Sequence, residues 1–162
     1  MYRKEKNEAD IRYILEHLKK EDEHEAKAQK GENFKEIILK EIMEDKCVTY
    51  LGCRKSDDLP VCIGGFTDTN EDGIGIVWLL STKEIENKKI SLLRHVIKAF
   101  KEIDDKYWLT CNILFSENTF AKSWLRKVGY RFDNPKPEEL NVSDEFEFFY
   151  RIRPTRGLGE VK

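Results

Sequence analysis

Residues 73–115 read GIGIVWLL, STKEIENKK, ISLLRHVIKAFKEIDDK and YWLTCNILF in succession. The first piece is an almost unbroken apolar run, the pattern of a strand buried on both faces. A polar loop over 81–89 follows. Ile90, Leu93, Val96, Ile97 and Phe100 then recur at helical spacing, as the inward face of one helix. Residues 107–115 return to the strand pattern. Strand, helix and strand in this order predict two parallel strands joined by a crossover helix.

Upstream, residues 47–54 (CVTYLGCR) and 60–67 (PVCIGGFT) read as strands around the turn residues Ser56, Asp57 and Asp58. A second turn signal, Asp68 to Gly73, leads into the central run. Tyr2 to Lys4 suit a short edge strand. Asn7 suits a helix N-cap with Asp10 in the first turn. Ile11, Ile14, Leu15 and Leu18 form an apolar face. Residues 19–33 lose that stripe, and continue as a solvated helix or bend, with Gly31 as a stop. Phe34, Ile37, Ile38 and Ile42 mark another amphipathic helix. Downstream, a helix over 117–128 stops at Gly129, where a left-handed cap is expected. Strands over 130–133 and 145–152 close the chain. The expectation is one α+β domain over residues 1–152, a mixed sheet of six or seven strands flanked by about four helices. Residues 153–162 read as a flexible tail.

The composition agrees. The 162 residues are 40% hydrophobic and 37% charged, enough for one core under a surface of both signs. Lys+Arg 29 against Asp+Glu 31 gives a net charge of −2, which argues against nucleic-acid binding through bulk positive charge. No apolar run approaches the ~18 residues of a membrane span. No signal-like stretch opens the sequence. Cys47, Cys53, Cys62 and Cys111 form no C-x-x-C pair and lie in strand-like stretches, as small hydrophobes in a reducing compartment do. These features predict a cytoplasmic protein.

Asn112, Asn118, Ala121, Gly129 and Tyr130 complete a more specific pattern, N-x(5)-N-x-x-A-x(7)-G-[FY]. With Arg3, Asp10 and Ile11 near the start, it resembles the GNAT N-acetyltransferases over residues 1–152. The resemblance implies a cleft between two splayed parallel strands, where the pantetheine arm of acetyl-CoA or coenzyme A binds like an extra strand. On this chain it implies that Val77, Leu79 and Leu80 line the arm and polarise the thioester carbonyl. Ser81, Lys88 and Lys89 would hold the pyrophosphate at a helix N-terminus, and Asn118 would touch the cofactor. Two positions depart from the pattern. The phosphate loop, usually glycine-rich, has no glycine between Ser81 and Ser91. Leu125 stands where many members carry a tyrosine that protonates the leaving thiolate.

A narrower resemblance rests on Trp78 to Thr82, Asn118, Trp124, Leu125, Gly129, Tyr130, Phe132, Phe146, Phe149 and Arg151. These are similar to GNAT-like internal virion (core) proteins of podovirus-type phages. That likeness implies lost or weak catalysis, other virion proteins as partners and a place inside the virion; a homo-oligomer is a separate expectation. The alternative is an acetyl-CoA-dependent N-acyltransferase acting on an amine. An acyl-CoA sensor without turnover is a third reading.

Single residues add little. His17 and His24 share a helical face with Glu21, and a solvated face explains them as well as acid–base chemistry does. His95 reads as a surface or groove residue. Lys83, Lys88 and Lys89 serve either phosphate binding or simple helix flanking. Trp78 and Trp108 read as core. Glu21, Asp22 and Glu25 are candidate bases among which the sequence does not choose. No metal set or catalytic triad stands out, so the catalytic residues stay unassigned.

Overall fold

Asn7 turns the first strand into the first helix, its side-chain oxygen accepting the Asp10 N–H at 2.9 Å. From this cap onward the computed structural model describes residues 1–44, 47–132 and 143–154. The elements run β1 (Tyr2–Lys4), α1 (Glu8–Glu16), α2 (Lys20–Lys30), α3 (Phe34–Met43), β2 (Cys47–Cys53), β3 (Pro60–Asp68) and β4 (Ile74–Ser81). A 3-10 turn (Lys83–Lys88) leads into α4 (Lys89–Ile103), then β5 (Leu109–Phe115), α5 (Thr119–Lys127) and β6 (Phe146–Ile152).

The six described strands form one sheet in chain order. Each neighbouring pair is antiparallel except β4 and β5, the parallel pair that the crossover helix α4 requires. Apolar side chains on the two faces feed two cores. Ile11, Ile14, Phe34, Ile38, Leu39 and Ile42 from α1 and α3 meet Leu51 and Ile63 on one face. Phe66, Val77, Leu92, Phe100, Trp124 and Tyr130 pack on the other face, beneath α4 and α5. This is the mixed α+β sheet that the sequence predicts.

Several details differ from the reading of the sequence. Residues 19–33 contain a fifth helix, α2, which lacks an apolar stripe but buries Asp22 and Ala26 and ends at Gly31. The loop after β4 is a 3-10 turn pinned by the fully buried Ile85. Leu92, Ala99, Phe100 and Ile103 face the core, while Ile90 and Ile97 are 69% and 52% exposed instead of facing inward. Trp108, expected in the core, is 46% exposed and lies against Gly73, with its indole N–H donating to Asp72 O. The strand expected over 130–133 is a single bridge between Arg131 and Tyr150. Asp133 and residues 155–162 of the expected tail lie outside the described residues. Gly129, at φ +96°, takes the left-handed conformation expected after α5.

Gly64 lies where β3 passes closest to β4. A Cβ there would sit 2.8 Å from both Trp78 O and the Leu79 side chain. Because Trp78 O is backbone, it cannot rotate away. Gly64→Ala should therefore cost about 1–3 kcal/mol, read as a lower thermal-unfolding midpoint. An unchanged midpoint would show that β3 and β4 separate freely at this point.

Candidate functional site

The parallel pairing of β4 and β5 lasts only from Ile74↔Leu109 to Ile76↔Cys111. Beyond it the strands part. Val77 O is still reached, by the Asn112 side-chain N–H at 2.7 Å. At the far end Ser81 O accepts the Lys19 N–H at 2.9 Å, because the α1–α2 junction lies alongside the end of β4. The alternation of a strand puts Leu79 N–H and C=O on the same side as Val77 O and Ser81 N–H. Backbone groups of Leu79 thus face the opening between two closed ends.

A cavity of about 430 Å³ runs through this opening. Its walls come from α2 and α3 on one face (Ala26, Ile38, Ile42), from β4 and β5, and from α5 on the other face (Ala121, Trp124, Leu125).

One side of the opening is charged and almost dry. Lys19 and Asp22 are 3% and 4% exposed, and Lys19 Nζ lies 3.1 Å from Asp22 Oδ1. Asp22 Oδ2 accepts the Ser81 N–H at 2.8 Å and the Ser81 hydroxyl at 2.6 Å. Burial pushes the Asp22 carboxyl upward, while the Lys19 ammonium and the Ser81 donors pull against it. Asn118 joins the cluster. Its carbonyl oxygen accepts from Lys19 Nζ at 3.2 Å and caps α5 through the Ala121 N–H, and its amide donates to Glu25 Oε1 at 2.9 Å. Glu25 Oε1 also accepts the Phe115 N–H at 3.2 Å. Burial, opposed by the Asn118 bond and reinforced by the Asp22 charge, raises Glu25 to about 7.

Lys19, Asp22 and Glu25 are three residues apart, which places them on one face of α2. That spacing was readable in the sequence. What it faced was not, since Ser81, Phe115 and Asn118 arrive from distant parts of the chain.

The chain superposes on known structures over nearly its whole length. The aminoglycoside 6'-acetyltransferase type Ii superposes with a TM-score of 0.69 at 15% identity, covering 95% of this chain and 100% of that one. The PaiA N-acetyltransferase of Thermoplasma acidophilum, in complex with coenzyme A, gives 0.67 at 14% identity, covering 93% of this chain and 98% of that one. A GNAT-family acetyltransferase from Bacillus anthracis gives 0.65 at 13% identity, covering 93% of each chain. The fold is that of the GNAT acetyltransferases. No protein-family model matches the sequence, and no curated protein does either.

On the GNAT frame, Val77, Leu79, Leu80, Ser81 and Asn118 all line the cavity. Ser81 is 1% exposed with its N–H and hydroxyl both committed to Asp22. Lys88 and Lys89 lie outside the cavity lining, at the junction of the 3-10 turn and α4. Lys89 Nζ is 5.7 Å from the Phe120 ring, which does line it. Leu125 is 2% exposed and packed in the core. His17 stacks on Tyr13, and His24 packs against Phe115 within 3.5 Å of Glu145, so the two histidines serve separate contacts. Among the described residues no cluster of His, Cys, Asp or Glu could hold a metal ion, and no helix is long and apolar enough to cross a membrane.

Two outcomes follow from the cluster. Lys19→Met should cost about 3–5 kcal/mol by leaving Asp22 buried without its cation. Lys19→Met/Asp22→Leu should cost clearly less, as denaturant unfolding of the single and double variants can show. Glu25 holds its proton more tightly in the folded chain than at the ordinary 4.5. The folded state therefore binds more protons between about pH 4.5 and 7, and stability falls as pH rises through that window. Glu25→Gln should remove this contribution, matching wild type near pH 4.5 and exceeding it near pH 8.

Proposed function

We propose that this protein is an N-acyltransferase that moves an acyl group from coenzyme A to an amine. The observation that carries the reading is Glu25, a carboxyl raised to about 7 beside a cavity that passes through the strand splay. A group poised near neutral pH can accept a proton from an attacking amine. Oε1 is held by Asn118 and Phe115, and Oε2 has no hydrogen bond among the described residues. The three acetyltransferase structures of the same fold support the reading, one of them holding coenzyme A.

The residues present fit an acyl-CoA. The Leu79 backbone faces the opening. Trp124 lines the cavity, and its buried indole N–H has no hydrogen-bond partner among the described residues. Lys83, Lys88 and Lys89 offer charge to a pyrophosphate where the loop has no glycine to bring backbone close. Acyl-CoA, when bound, supplies the acyl group activated as a thioester. Leu79 N–H is the backbone donor positioned to polarise a carbonyl in the splay. Glu25 takes the proton from the amine. Leu125 has no proton to give a leaving sulfur; the Lys19 ammonium lines the cavity from the α2 side.

The virion-component reading draws no support from the structures compared, which are acetyltransferases by their own descriptions. The experiment that tests the enzymatic reading is release of free thiol from acetyl-CoA over a panel of primary amines. Glu25→Gln should lower kcat by about 10²–10⁴-fold and erase a rate limb near pH 7, with coenzyme A binding retained. Tight binding without turnover on any amine would convert the reading to a sensor. Absence of both would return the chain to a structural role.

A further inference from the structure

A second cavity, of about 500 Å³, lies beneath α4 against β2 and β3. Its volume falls in the range of ordinary ligand sites. Leu92, Val96 and Ala99 of α4 form its roof, and Cys62, Gly64 and Phe66 of β3 contribute to its floor. These roof and floor residues are apolar, while Arg3, Tyr50 and Glu102 also line the cavity. Lys55, His95 and Lys98 stand at an edge that continues into a shallower surface groove.

Val77, Trp78, Leu79 and Trp124 line both this cavity and the cleft through the splay. The Val77, Leu79 and Trp124 side chains belong to the core on the α4 and α5 face of the sheet, so on that face side chains form the wall between the two spaces. Trp124 in this shared wall has a buried indole N–H without a hydrogen-bond partner among the described residues. An unsatisfied buried donor of this kind costs free energy until an acceptor reaches it.

An acetyl group needs none of this second volume. The geometry points to an acyl group longer than acetyl, whose aliphatic chain enters the cavity beneath α4 while its thioester carbonyl accepts from Trp124 Nε1. This inference rests on the acyltransferase reading and names its donor class, a medium-chain acyl-CoA. Gly64 fits the picture, because any side chain there would press on Leu79 at the shared wall.

The test is isothermal titration of coenzyme A, acetyl-CoA, butyryl-CoA and octanoyl-CoA into the protein. Affinity should rise about fourfold for each added methylene until the cavity is full, the factor equivalent to about 0.8 kcal/mol per buried CH₂. Ala99→Phe, and independently Val96→Phe, narrow only the second cavity. Each should flatten that slope while leaving acetyl-CoA affinity unchanged. Trp124→Phe keeps the ring and deletes the donor. It should weaken every acyl-CoA by about fivefold, the worth of one hydrogen bond, and leave free coenzyme A unaffected.

Equal affinity for all chain lengths in the wild-type protein would overturn the inference and leave the acyltransferase reading standing. So would a slope that both filling variants preserve. Failure of coenzyme A and every acyl-CoA to bind would overturn the two together.

Discussion

The parting of β4 from β5 after three paired residues is the constraint on which the site depends. A strand that leaves its neighbour exposes N–H and C=O groups that cannot stay buried without partners. Here the two ends of the gap are closed by different parts of the chain. Asn112 takes Val77 O, and the α1–α2 junction takes both polar groups of Ser81 through Lys19 N–H and Asp22. What remains open is centred on Leu79. The cleft is therefore a defined gap in the hydrogen-bond ladder, with its length fixed by its plugs.

Closing the gap with charged residues has a consequence for chemistry. Lys19 and Asp22 are almost entirely removed from water, and each is tolerable there only beside the other. Burial beside this cluster raises Glu25, with the Asp22 charge adding to the effect and the Asn118 bond and the Lys19 ammonium opposing it. Asn118 is at once the cap of α5 and a ligand of this cluster, so the start of α5 and the cleft share one polar anchor.

The two lobes of the cleft also differ in kind. On the α2 side the walls include carboxylates and an ammonium. On the α4 and α5 side the inner walls are mainly apolar, with Arg3, Lys55, His95, Lys98 and Glu102 also lining the space. The division follows from the sheet itself, since alternate residues of β4 point to opposite faces, with Trp78 and Leu80 toward α1 and α3 and Val77 and Leu79 toward α4 and α5.

Much of the fold was written in local sequence. Hydrophobic periodicity located all six strands and most of the helices, and Asn7, Gly31 and Gly129 marked helix ends through their own backbone and side-chain chemistry. The spacing of Asn112, Asn118, Ala121, Gly129 and Tyr130 carried the likeness to GNAT enzymes. Local sequence failed where long-range contacts set the outcome. Tertiary packing decides which face of α4 is covered: Leu92, Ala99, Phe100 and Ile103 take it, so Ile90 and Ile97 were read inward and lie outward. The helix α2 has no apolar stripe to announce it, because it docks by charge. Glu25 was one of three equivalent acids until Asn118 and the Phe115 N–H, about ninety residues away in the chain, met it. The sequence alone determined the elements and their order, through short-range periodicity and capping. Tertiary structure alone decided which carboxyl is raised and which backbone groups face the gap, because desolvation and pairing are properties of the assembled surroundings.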